Sequence, residues 1–174
     1  MKQTRFFTMM LACFFLVFSG CKKEEAKDDI RETKLEWISG TWKQKDITLG
    51  ASAKVSGINL VQGSSLVNDP TLNAVFSSLF GGNPYKLTTS NTYTFNRNGT
   101  YSMEGSMDWV FPKSKDGGSW TLELHDTVIA LFPSATVRAP HWITTIRPDE
   151  MELVLSVNFP GLGDVPLNLL LERQ

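Results

Sequence analysis

Asn91-Thr-Tyr-Thr-Phe-Asn-Arg-Asn-Gly-Thr-Tyr-Ser-Met-Glu-Gly-Ser106 is the stretch on which the fold class turns. Tyr93 and Phe95 alternate with threonines, and Tyr101 and Met103 alternate with Thr100 and Ser102. A period of two is the mark of a half-buried strand. Between the two runs, Asn96-Arg97-Asn98-Gly99 reads as a turn, with Gly99 able to take the left-handed conformation of a G1 bulge. The stretch is therefore an antiparallel hairpin, and the second strand can extend through Met107-Asp108-Trp109-Val110-Phe111.

The same period recurs on both sides. A first strand falls within 37–49, with imperfect alternation from Thr41 to Leu49. Downstream, Ser119–Leu124 places Trp120, Leu122 and Leu124 on one side after a polar loop at 112–118, and Val128–Phe132 is short and apolar. His141–Arg147 aligns Trp142, Thr144 and Ile146. Arg147-Pro148-Asp149-Glu150 has a turn proline at its second position. Met151–Phe159 and Val165–Glu172 alternate cleanly. The expected fold is all-β, with eight antiparallel strands joined mostly by hairpin turns. Closing such a sheet into an up-and-down barrel removes its exposed edges, and a two-sheet sandwich is the alternative.

One connection breaks the pattern. Residues 50–90 are low in charge and hold one convincing helix at 70–80, between the first two strands. Asp69 suits the N-cap and Pro70 the first turn. Leu72, Val75, Phe76, Leu79 and Phe80 form an apolar stripe, and Gly81-Gly82 ends it. A connection this long invites a functional explanation.

The N-terminus reads as an address. Lys2 and Arg5 precede an apolar run from Phe6 to Phe18 that is too short to span a bilayer as a helix and has the length of a secretory h-region. Phe18-Ser19-Gly20-Cys21 resembles the lipobox of bacterial lipoproteins, with Phe18 in place of the more usual leucine. The resemblance implies a signal peptide at 1–20 and acylation of Cys21, anchoring the chain to a membrane. With Cys13 removed and Cys21 acylated, the mature domain has neither thiol nor disulfide. Residues 21–36 form a charged tether, ten of the 13 residues from Lys22 to Lys34 being ionic, too polar to offset ordering entropy by burial. Lys22-Lys23-Glu24-Glu25 is similar to the export signal of surface lipoproteins in Bacteroidota, so surface display stands beside a periplasm-facing outer-membrane anchor.

The 174 residues thus divide into leader, tether and one domain at 37–174. A formal net charge of -1 leaves no electrostatic footprint for nucleic acid. No phosphate-binding glycine loop or nucleophile elbow is present. His125 and His141, at strand ends, lack the spacing of a zinc site, and a hydrolase using either ranks last. No catalytic residue, metal or cofactor is expected.

Gly40-Thr41-Trp42 resembles the Gly-x-Trp signature of lipocalins. Thr94–Tyr101 and Gly118–Leu122 are similar to segments of lipocalin-like lipoproteins of Bacteroidota. The resemblance implies a barrel in which Trp42, beside Gly40, closes one end and an arginine from a late strand, Arg173 or Arg147, packs on its ring. It also implies that the helix lids the mouth. Leu72, Phe76, Leu79, Tyr93, Phe95, Tyr101, Met103, Trp120 and Trp142 then either line a cavity for a small apolar or amphipathic ligand or fill the barrel as core. A solid barrel would instead fit a non-catalytic scaffold subunit with an outer-membrane protein partner.

Overall fold

The computed structural model describes residues 22–55, 58–79, 90–105, 117–159 and 163–174. The expected signal peptide at 1–20, Cys21, Phe80, the expected helix stop at Gly81-Gly82 and the expected strand extension at 107–111 lie outside the described residues. Two compact units are present, and the barrel belongs to the one that begins at Leu35.

In chain order the elements are α1 (Lys22–Ile38), β1 (Gly40–Leu49), β2 (Ala53–Val55), β3 (Ile58–Leu60), α2 (Pro70–Leu79), β4 (Thr92–Phe95), β5 (Thr100–Glu104), β6 (Gly118–Glu123), β7 (Val128–Ser134), β8 (Val137–Ile146), β9 (Glu150–Phe159) and β10 (Gly163–Arg173). Eight strands close into an antiparallel barrel in the order β1-β10-β9-β8-β7-β6-β5-β4, while β2 and β3 form a separate two-stranded sheet. β1 pairs with β4 from Gly40 to Lys43 and with β10 from Trp42 to Leu49. Pairing on both sides of β1 closes the sheet, so the sandwich alternative does not form.

Alternation along the strands builds the core. Tyr93, Phe95, Tyr101, Met103, Trp120, Leu122, Met151, Leu153, Leu155, Leu167, Leu169 and Leu171 are all buried in one apolar cluster. The irregular patterns have a local cause. β1 carries a bulge between Gln44 and Asp46, so its buried positions run Trp42, Gln44, then Ile47 and Leu49. One extra residue in one strand of a pair shifts the phase of everything after it.

The long connection supplies more than the helix. Beyond Lys43, the edge of β1 is met by Asn91, whose carbonyl accepts from the Gln44 N–H at 2.9 Å, and by the segment 63–66. Leu66 donates to the Ile47 carbonyl (2.8 Å) and Leu49 donates to that of Ser64 (3.0 Å). The β2–β3 hairpin has no counterpart in the sequence reading, because its strands of three residues are too short to show a period.

The tether also differs from expectation: its described residues, 22–36, lie within α1 rather than in irregular chain. Lysine, glutamate, alanine and arginine are among the best helix formers, so a segment unable to bury its side chains can still satisfy its backbone internally. Ile38, at its C-terminus, is fully buried in the barrel core.

Candidate functional site

The strand registers define two ends. Gly40, Arg173 and the turns at 96–99, 124–127 and 147–149 gather at one; Leu49, the segment 63–66, the β7–β8 turn and the Phe159 and Gly163 ends of β9 and β10 gather at the other.

The first end is sealed by a clamp. The Trp42 indole N–H donates to the Ile38 carbonyl at 2.8 Å. Arg173, not Arg147, lies over the indole, its guanidinium carbon 4.9 Å from the ring centroid. The guanidinium also donates to the Trp37 carbonyl in the last turn of α1. A Cβ at Gly40 would come within 2.9 Å of the Arg173 Nη1, so the glycine makes room for the arginine. A cation at a helix C-terminus further favours the exposed carbonyls there.

The second end is capped by the long connection. Leu60, Leu66, Leu72 and Phe76 are all buried and join the barrel core. Phe76 packs edge-on against Phe159 at the end of β9, ring centroids 5.6 Å apart. Asp69 caps α2, its Oδ1 accepting from the Thr71 and Leu72 N–H groups at 2.9 and 3.1 Å. Asp46 ties the connection to β1, because its Oδ1 accepts from the Ser65 hydroxyl at 2.6 Å. Leu72 and Phe76 therefore come together over the core. Leu79 is the last residue of α2.

Tyr93, Phe95, Tyr101, Met103 and Trp120 are buried inside. Phe95 meets Trp120 edge-on at 5.6 Å and lies 6.5 Å from Tyr101. The Tyr101 ring crosses its β6 partner, Gly118, where any Cβ would overlap it. Trp142 does not join this set: it is 45% exposed, while its neighbour His141 is 1% exposed. The expected face of β8 was one residue out of phase. Its inward positions are Ala139, His141 and Ile143, and a bulge between Ile143 and Thr145 then shifts the register.

The sequence reading missed the polar residues inside. Gln44 and Asn91 are fully buried, and the Gln44 Oε1 accepts from the Asn91 Nδ2 (3.0 Å) and the Tyr93 hydroxyl (2.8 Å). Their signal was available, since Gln44 shares a face with Trp42 and Asn91 with Tyr93. Burial pushes the Tyr93 phenol up, beyond the ordinary tyrosine range, and the Tyr101 phenol up to about 12. The His141 Nδ1 lies 3.1 Å from the Ala139 carbonyl oxygen. His125 is exposed in the β6–β7 turn. Among the described residues, no group of three His, Cys, Asp or Glu is placed to hold a metal.

A depression of about 700 Å³ lies on the barrel wall, lined by Thr100, Ser102, Gly117, Ser119, Phe132 and Ser134 among others. It sits beside the pairing of Thr100 and Tyr101 of β5 with Ser119 and Gly118 of β6. It is not beneath α2. The chain matches no family model, and no curated protein matches it.

Proposed function

We propose that the chain is a lipid-anchored, lipocalin-like carrier that holds a small apolar or amphipathic molecule inside its barrel. The observation that carries this reading is the asymmetry of the two ends. One end is sealed by Trp42 and Arg173. The other is covered by side chains from a connection, with Leu72 and Phe76 contributed by a helix of ten residues. A cover built from a connection can separate from the strands without breaking the barrel's ladder. Acylation at Cys21 after removal of residues 1–20 would moor the carrier to the outer membrane, since stable anchoring takes two or more acyl chains. Residues 22–174, purified without detergent, should yield a copurifying apolar molecule by solvent extraction and native mass measurement. Failure to retain or take up any apolar molecule would refute the carrier. Labelling with an alkynyl fatty acid that is lost in Cys21→Ser tests the anchor.

A scaffold subunit of an outer-membrane assembly is the second reading. What favours it is the single cluster of buried apolar side chains inside the barrel. Recovery of a stoichiometric membrane partner by a chain that takes up no ligand would decide for it.

A further inference from the structure

The depression on the barrel wall has a local cause. The chain enters β6 through Gly117 and Gly118, which bring no side chain to the wall. Gly117 has a φ of 81°, a conformation that side chains rarely adopt, and at Gly118 the Tyr101 ring occupies the place of a Cβ. The resulting volume of about 700 Å³ falls in the range of ligand sites, about 300–1,000 Å³. Beside it runs a row in register across three strands: Thr100 of β5 pairs with Ser119 of β6, and Ser119 pairs with Phe132 of β7. Thr100 and Ser119 are exposed next to the buried Tyr101 and Trp120, so their hydroxyls face outward. Phe132 is half-buried, follows Leu131 of the core and lines the depression. Two strand spacings make this row about 10 Å long. Ser102 and Ser134, also exposed, add hydroxyls to the lining.

We propose that this depression binds a neutral saccharide, with one pyranose face on the Phe132 ring and its hydroxyls bonded to Ser119, Ser102 and Ser134. The face of an aromatic ring is electronegative, and the C–H groups on a pyranose face present the complementary weak positive charge. A serine hydroxyl donates one hydrogen bond and accepts two, which matches neighbouring sugar hydroxyls that do the same. Because the three serines are exposed, they exchange water for sugar hydroxyls and leave no buried group unpaired when the site is empty. A ligand with an apolar face and hydroxylated edges uses the ring and the hydroxyls together, whereas an alkyl chain would use the ring alone. The site lies on the outer wall, so it stands independently of whether the interior holds a ligand.

The test titrates the full chain, purified in a detergent without a sugar head, with maltotetraose, cellotetraose, laminaritetraose and xylotetraose, by calorimetry and saturation-transfer NMR. At least one should bind with a Kd of about 1 mM or below, as suits an open site with few contacts. Phe132→Leu keeps an apolar side chain but removes the aromatic face, and should weaken binding about threefold to tenfold. Ser119→Ala should weaken it about fivefold through the loss of one hydrogen bond. Because Ser119 is exposed, that variant carries the test alone if Phe132→Leu fails to fold. Trp142→Leu alters an exposed aromatic on β8 that does not line the depression, and should leave binding unchanged. Binding of none of the four would overturn the inference. So would binding that survives both Phe132→Leu and Ser119→Ala, or that is lost in Trp142→Leu.

Discussion

Truncating Phe76 to alanine tests whether α2 is a separable cover or part of the barrel's cooperative core. Phe76 is 2% exposed and meets Phe159 edge-on. Removing a fully buried phenylalanine ordinarily costs about 3–5 kcal/mol, aromatic contact included. That full loss appears in global stability only if α2 unfolds with the barrel. If α2 is a cover, its detachment caps the loss. Besides Phe76, what holds it in place includes Leu72, 7% exposed, and the bonds through Asp69 and Asp46. One further buried leucine supplies about 2 kcal/mol and an N-cap about 1 kcal/mol, before the entropy of ordering the segment is subtracted. A net docking free energy below the Phe76 penalty is therefore expected. In Phe76→Ala, amide hydrogen exchange in 70–79 should accelerate to near that of free peptide. Exchange in β9 and β10 should remain slow, and the urea midpoint should move by less than 2 kcal/mol would require at ordinary m-values. A drop of the full 3–5 kcal/mol, with α2 and β9 exchanging together, would refute the separable cover.

Three further outcomes are expected. Arg173→Ala removes a cation–π contact, a charged hydrogen bond to Trp37 and a favourable charge at the end of α1, and should lower stability by about 2 kcal/mol. For a domain of this size that is about 4–8 °C in Tm by calorimetry, and a shift indistinguishable from zero would show that the clamp is idle. The β6–β7 turn holds Leu124, His125 and Asp126 at φ of 48°, 57° and 62°, so His125→Gly should raise stability by about 0.5–1 kcal/mol, relief of left-handed strain exceeding the entropy of the added glycine; destabilisation on urea unfolding would contradict this. Because burial raises the Tyr101 phenol to about 12, its contribution is complete below the unfolded value near 10 and is lost as pH climbs from there through about 12. Tyr101→Phe should flatten the fall in stability over that window, and an unchanged slope would exclude Tyr101 as its source.

Much of the architecture is legible because strand formation is a local, periodic property. The alternation at 92–95, 100–104 and 151–159 is carried by residues two apart, and each element forms there. The α2 helix is legible for the same reason, its cap and stripe lying within a dozen residues. Where the reading slips, a neighbour in space overrides the neighbour in sequence. Trp142 looks like a core residue on hydropathy alone, yet the phase of β8 is set by its pairing with β7 and β9. His141 then takes the inward place, with the Ala139 carbonyl beside its Nδ1.

The chain alone determined that strands, turns and one amphipathic helix would form. Each of those properties depends on residue type within a few positions. Tertiary structure decided the rest: that β1 divides its hydrogen bonds between β4 and β10 and so closes the sheet, that Arg173 rather than Arg147 reaches Trp42, and that Gln44, Asn91 and Tyr93 meet in the interior. These partners lie tens to more than a hundred residues apart. Their meeting is set by register and shear around the whole barrel, which no local window of sequence contains.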